Sequence, residues 1–233
     1  KGSSIARESD YVLYTHAGPE IAVASTKAYT VQLSIMYLIA FRFAYAKGML
    51  PEENVKQLIK TLENTVNIVE DILDYDAEVK PIGKKLKKSE DLFFIGRGLD
   101  YALSCEGSIK LKEISYIHSE AYAAGELKHG TISLITDNVP VIALATQQDV
   151  YAKMISNIRE VRSRGAKVIL ITNADAHVDA SLCDYHIMLP EMDDLFTPFG
   201  AAIILQYIAY YAAVSRGLNV DQPRNLAKSV TVE

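Results

Sequence analysis

Cysteine is scarce in this sequence. Cys105 and Cys183 are the only two, with no C-x-x-C and no histidine at zinc-finger spacing, which excludes a disulfide framework and a structural zinc and suits a reducing cytosol. Long apolar runs are missing too. The most apolar stretch, residues 28–41, contains Gln32 and Ser34 and is bounded by Lys27 and Arg42, short of the roughly 18 apolar residues of a membrane helix. A buried helix is expected there, and no membrane partner. Neither sign of charge dominates: 24 Lys and Arg face 29 Asp and Glu, for a net charge of -5. No basic stripe or block stands out, so nucleic acid is not the expected partner and a small molecule is. No signal peptide opens the chain, and without an initiator Met, Lys1-Gly2-Ser3-Ser4 reads as the middle of a longer protein.

What is present is an ordinary globular composition, 49% hydrophobic and 23% charged over 233 residues, enough for one or two domains at about 150 residues each. Residues 10–14 read as a short strand and 20–47 as a long helix stopped by Gly48. A second helix runs from Pro51 through Leu73, its apolar residues recurring at three to four residue steps. Between 74 and 90 the apolar density falls and lysines gather at 80, 84, 85, 87 and 88, which reads as a linker with a solvated face. From 92 onward strands and helices alternate: strand 92–95, helix 101–116, strand 139–145, helix 150–164, strand 167–172, strand 185–189 and an apolar helix 199–215 stopped by Gly217. This pattern predicts an α/β fold, a parallel sheet flanked by helices in three layers. Cys183-Asp184-Tyr185, strand, loop, apolar helix and Ser215-Arg216-Gly217 echo Ser9-Asp10-Tyr11, strand, loop, apolar helix and Ala46-Lys47-Gly48, as two copies of one unit would.

Several segments carry groups capable of chemistry. Phe94-Ile95-Gly96-Arg97-Gly98 places two glycines between a strand and a helix, where backbone amides can meet an anion or where a tight turn simply needs them. The third glycine of a dinucleotide fingerprint would fall at Tyr101 and is absent, so no nicotinamide or flavin cofactor is expected. Glu106, Lys110 and Glu113 share one helix face by their four and three residue spacing, with Lys112 pointing elsewhere. They are either exposed ion pairs or, if the helix start at the carboxyl edge of the sheet marks a site, working groups. Residues 118–130 are dense in small and polar residues without a period and read as a loop; within them His129 could act as acid or base, since imidazole is the side chain suited to that near neutral pH. Ser25 is a candidate N-cap for the long helix, and the polar tail after Asn219 reads by default as a frayed terminus.

Residues 106–130, the segment Glu20-Ile21-Ala22-Val23-Ala24-Ser25-Thr26-Lys27-Ala28 and the tail Asp221-Gln222-Pro223-Arg224-Asn225-Leu226-Ala227-Lys228-Ser229-Val230-Thr231-Val232-Glu233 together resemble the glucosamine-6-phosphate synthase family, the glutamine:fructose-6-phosphate aminotransferases, within the wider group of sugar isomerase (SIS) domain proteins. The tail is the most specific part. The resemblance implies an isomerase half made of two SIS domains, with residues 1–75 the end of the first, 80–218 the whole second and 219–233 an active-site tail. It implies a homodimer, an upstream glutaminase domain, fructose 6-phosphate and glucosamine 6-phosphate as ligands, and neither metal nor cofactor. Carried over by position, Glu113 matches the base that moves a proton between C1 and C2, His129 the group that opens the sugar ring, Lys228 the amine that forms an imine, and Lys110 a lysine that assists proton movement. Val23, Ser25 and Ala227 match sugar contacts, and the histidine matched by His129 serves the neighbouring subunit's site. The family's Ser-x-Ser-Gly-x-Thr phosphate loop does not occur here, so weak or no activity is expected of these residues alone. Two alternatives remain: another SIS sugar-phosphate isomerase or deaminase, with no use for Lys228, and a non-catalytic sugar-phosphate sensor, with no use for Glu113, His129 and Lys228 together.

Overall fold

The structure, a computed structural model, describes residues 2–174 and 176–228. Five strands form one parallel sheet in the order β2-β1-β3-β4-β5: β1 Asp91–Gly96, β2 His118–Ala123, β3 Pro140–Ala145, β4 Lys167–Thr172 and β5 Tyr185–Met188. Parallel strands need helical crossovers. The helices are α1 Ser4–Glu8, α2 Lys27–Ala46, α3 Glu52–Leu73, α4 Asp76–Lys85, α5 Leu99–Ser115, α6 Tyr151–Arg162 and α7 Thr197–Ser215.

Strand residues alternate between the two faces, and that period of two divides the core. Leu92, Phe94, Ile142, Leu144, Ile169 and Ile171 pack with α4, α5 and α7 on one side. Phe93, Ile95, Val141, Ala143, Val168 and Leu170 pack with α6 on the other, against Met154, Ile158 and Val161. The three-layer α/β/α architecture expected from the alternation is therefore present. A third cluster, Tyr37, Phe41, Leu62, Phe196 and Phe199, ties α2 and α3 to the start of α7.

Four expectations need correction. Residues 74–90 are not a linker: α4 and a 3-10 turn, Leu86–Lys88, occupy them, and Val79, Ile82 and Leu86 are buried against α7. Three apolar residues at a three to four residue step are enough to seat one helix face, while the lysines on the opposite side dilute the composition. Residues 10–14 are not a strand. Tyr11 is 95% exposed and no ladder reaches the segment among the described residues, because a lone strand has no neighbour to satisfy its backbone. The stretch 28–41 is helical but not buried, with only Tyr37 and Phe41 inside α2; α7 is the buried apolar helix, meeting the length and hydropathy of a membrane span while 78% enclosed by the protein. Residues 118–123 are not loop but edge strand β2, running parallel to β1 from Asp91↔His118 to Gly96↔Ala123. An edge strand with polar residues lacks the apolar pattern that marks inner strands.

Gly83 on α4 lies so close to α7 that a Cβ there would stand 2.3 Å from the Tyr211 Cβ and 2.6 Å from its carbonyl carbon. Backbone cannot yield as a side chain tip can, so Gly83→Ala is expected to destabilise the fold by about 1–3 kcal/mol despite its better helix propensity. Chemical denaturation of the two proteins measures it, and an unchanged or raised midpoint would contradict the packing.

Candidate functional site

Glu106, Lys110 and Glu113 do form one constellation on α5. Lys110 is 5% exposed, and its Nζ lies 2.5 Å from Glu113 Oε2 and 3.7 Å from Glu106 Oε1. The helix is pressed into the core here: Gly107 admits Leu205 of α7, whose Cδ1 would be 2.7 Å from any Cβ, and Ser108 Oγ donates to the Ser119 carbonyl of β2 at 2.9 Å. The cation is therefore held away from water with two carboxylates around it. This rules out the exposed ion-pair reading. Burial raises the Glu106 carboxyl above its ordinary range, opposed by Lys110 and reinforced by Glu113.

The edge of the sheet at which this happens is the opposite of the expected one. α5 begins at the carboxyl edge with Leu99, but Glu113 falls in its last turn, about 21 Å along the axis at 1.5 Å per residue. The constellation thus faces the amino edge, where α5 ends at Tyr116 in a left-handed conformation, φ 60°. The carboxyl edge behind Gly96 and Gly98 is filled from within. A Cβ at Gly96 would meet the Asp100 carbonyl at 2.5 Å, and the buried Asp100 carboxylate accepts from the Thr146 amide at 2.8 Å and hydroxyl at 2.6 Å. Of the two readings of these glycines, the tight turn is the one the geometry supports.

The tail is not frayed over its described part. The Val23 amide donates to the Asp221 carbonyl at 2.9 Å. The Arg224 amide donates to the Tyr116 hydroxyl at 2.7 Å, and the Arg224 guanidinium lies 4.3 Å over the Tyr116 ring. Lys228 Nζ donates to the Ala22 carbonyl at 2.9 Å and lies 3.5 Å from Glu20 Oε2. Residues 219–228 therefore span from the end of α5 to the loop before α2, bringing Lys228 to the segment that holds Val23 and Ser25. Ser229 to Glu233 lie outside the described residues.

One further expectation changes. Ser25 is not the N-cap: Thr26 holds that position, and its own hydroxyl makes no cap bond but donates to Glu20 Oε1 at 2.9 Å, while its amide donates to the same oxygen at 2.7 Å. Glu20, six residues back, does the capping, which is why α2 starts at Lys27 and not at Glu20. His129 stands apart. It sits in a 3-10 turn, Leu127–His129, just beyond the carboxyl end of β2, exposed and without a side-chain bond among the described residues. Glu113 and His129 thus occupy opposite ends of the sheet, and one chain does not bring them together. Ala227 is exposed beside Lys228. Glu20, Tyr116 and Arg224 were not singled out from sequence for these contacts, since neither the tail's return nor the left-handed end of α5 has a periodic signature.

A three-layer parallel α/β unit with a buried carboxylate–lysine–carboxylate face and a returning basic tail defines a class, and family comparison gives it a name. The SIS domain model matches residues 1–42 and 85–216, so the chain belongs to the SIS domain family. Among curated proteins, it is 51% identical over 232 residues to a glutamine--fructose-6-phosphate aminotransferase [isomerizing] of Caldanaerobacter subterraneus, covering 100% of this chain and 38% of that protein. A counterpart from Clostridium tetani is also 51% identical, over 237 residues, with the same coverage. The chain thus spans 38% of the length of these relatives. Among solved structures, the C-terminal domain of glucosamine-fructose-6-phosphate aminotransferase from Francisella tularensis matches with a TM-score of 0.91 and 38% identity, over 95% of this chain and 62% of that one. Glucosamine-6-phosphate deaminase from Thermotoga maritima, at 23% identity and a TM-score of 0.63 over 98% of this chain and 63% of that one, shares the fold.

Asp100 offers a pH test of the carboxyl edge. Burial raises its carboxyl to about 6 against the Thr146 bonds that lower it, so folding favours the protonated form. The associated stability is complete below the unfolded value near 3.8 and lost as pH rises through about 6. Asp100→Asn, which cannot ionise, should therefore gain on the wild type by up to about 3 kcal/mol between pH 4 and pH 6.5. Denaturant titrations across that range measure the gap, and a constant gap would mean that Asp100 folds without a shifted carboxyl.

Proposed function

We propose that this chain is the isomerase part of an enzyme that makes glucosamine 6-phosphate from fructose 6-phosphate and glutamine-derived ammonia, as the names of its relatives suggest. The observation that carries the reading is the return of the tail, which presents Lys228 beside residues 20–26 and fastens through Arg224 to the end of the helix bearing Glu113. A sensor or a simple isomerase has no need of such a tail. Residues 1–75 are read as the end of one SIS unit, 80–218 as a complete second unit and 219–233 as the tail; the two-part family match supports this division. The upstream unit with the phosphate loop, and the glutaminase domain, would lie in the part of the relatives' length outside this chain. Two free cysteines suit a reducing cytoplasm.

Each residue type fits a step. The Lys228 amine attacks the C2 carbonyl of the open-chain sugar and expels water to form an imine; ammonia then adds to that carbon as the Lys228 amine leaves, and the resulting ammonia imine makes the C1 protons acidic. Glu113 takes a proton from one carbon and returns it to its neighbour, and Lys110, 2.5 Å away, keeps that carboxyl beside a fixed cation while the proton moves. Val23 and Ser25 lie on the segment whose Glu20 and Ala22 hold Lys228, Ala227 precedes Lys228 in sequence, and all three would contact the sugar. His129 would open the ring, and since it lies at the other end of the sheet from Glu113, it would act in the site of a second subunit in a homodimer.

Borohydride reduction with fructose 6-phosphate on the full-length protein, followed by peptide mass mapping, is expected to trap an adduct on Lys228, and Lys228→Ala should abolish it. No adduct despite measured binding would move the assignment to a sensor or simple isomerase. Glu113→Gln should lower sugar turnover by about 100-fold or more while leaving the adduct. If His129 serves the partner, mixing inactive Glu113→Gln and His129→Ala subunits should restore about a quarter of wild-type activity, since half the dimers are hybrid and each hybrid has one intact site. No recovery would place both groups in one subunit's site.

A further inference from the structure

Glu20 is the least expected member of this arrangement. Its side chain is 9% exposed, against 50% for Lys228, and its two carboxylate oxygens have different duties. Oε1 accepts from the Thr26 amide and hydroxyl at 2.7 and 2.9 Å, which locks it to the start of the 20-residue helix α2, where the helix dipole favours a negative charge. Oε2 is turned to Lys228 Nζ. Burial alone would raise the Glu20 carboxyl, but the Thr26 bonds, joined by Lys228, outweigh it and hold the group below its ordinary range. It is an anion at neutral pH, and the Ala22 carbonyl completes a cradle of acceptors for the amine. Among the described residues no other cation competes for that carboxylate: Arg224 lies over Tyr116 and Lys27 Nζ donates to the Pro19 carbonyl at 2.6 Å.

We propose that Glu20 is the positioning residue of Lys228, holding the ammonium at the start of α2 in the resting state and remaining as counter-ion to the protonated imine after it forms. This rests on the imine role of Lys228 proposed above. The half-exposed ammonium gives its proton to solvent, and the nitrogen lone pair then attacks the ketose carbon. The C–N bond forms as the carbonyl π pair moves to oxygen, which takes a proton while the nitrogen gives one up to solvent. The nitrogen pair next closes the C=N bond while the hydroxyl takes a second proton from solvent, the C–O bond breaks and water leaves. Positive charge thus resides on nitrogen before attack and after dehydration, and Glu20 faces it at both points. Anchorage through Oε1 keeps the carboxylate from following the amine into solvent. The arrangement costs no rotamer freedom at the moment of reaction, because burial has already fixed the carboxylate.

The test uses the full-length protein and two readouts. Competitive acetylation of Lys228 with acetic anhydride across pH, read by peptide mass mapping, reports the amine's titration midpoint. Glu20→Gln keeps an acceptor for Thr26 but removes the charge, and should lower that midpoint by about half a unit or more, a threefold or greater gain in free amine at a given pH. Should that variant fail to fold, Glu20→Asp, which withdraws the charge by one methylene, should lower it in smaller degree. In turnover with fructose 6-phosphate, Glu20→Ala should reduce kcat about tenfold with KM changed less than twofold, and Glu20→Asp should recover part of the loss. A purely structural brace would leave the midpoint in place. An adduct on Lys228 with an unshifted midpoint overturns the role of Glu20 alone; a shifted midpoint with no adduct in the wild type overturns the imine reading and leaves the Glu20 hold on the amine standing.

Discussion

The packing of α7 is the constraint on which the other elements depend. Its residues are apolar on all sides, and it is enclosed accordingly, by α4 and α5 along its length and by α2 and α3 near its start. Burial of that many aliphatic and aromatic side chains, at about 25 cal/mol per Å², is the large favourable term in a molecule of this size. It also fixes distances. With Gly83 and Gly107 letting α4 and α5 approach closely, the helix carrying Glu113 has no freedom to rotate, and the tail that follows α7 leaves it at a set point near the end of α5.

Against that rigid background, the burial of Lys110 is costly by itself. An ammonium withdrawn from water is tolerated only with charge and hydrogen-bond partners, and removing one partner of such a pair typically costs about 3–5 kcal/mol. Glu106 and Glu113 provide the compensation from within about two turns of the same helix, so no loop has to be ordered to make the pair. A carboxylate beside a fixed cation, half-open to solvent, is a demanding arrangement to maintain for stability alone. It suits the proton transfer proposed for Glu113.

The tail carries the opposite logic. It has no apolar face and little burial beyond Pro223, and its place is set by a few polar contacts: Asp221 to Val23, Arg224 to Tyr116, and Lys228 to Ala22 and Glu20. Each is modest, on the order of 1 kcal/mol, so the tail can let go of one without disturbing the core. The contacts reach two parts of the chain more than ninety positions apart, α5's end and the loop before α2, and make the tail the bridge between them.

Much of the fold was legible in order of residues. Alternating apolar runs marked β1, β3, β4 and β5, and the glycine stops marked the ends of α2 and α7, because buried strands and helix ends impose local residue requirements. The spacing of Glu106, Lys110 and Glu113 was enough to put them on one face. It could not say that the face is buried, or that it looks toward the amino edge, since both depend on where α7 and β2 press against α5. The polar edge strand β2 and the lysine-rich α4 escaped for a related reason: their hold comes from neighbours, not from their own pattern. Local sequence determined which residues share a face. Tertiary structure alone decided that Glu20 caps α2 from six residues away and meets Lys228 from the far end of the chain, because such contacts arise from chain return across a packed core, which leaves no period in the sequence.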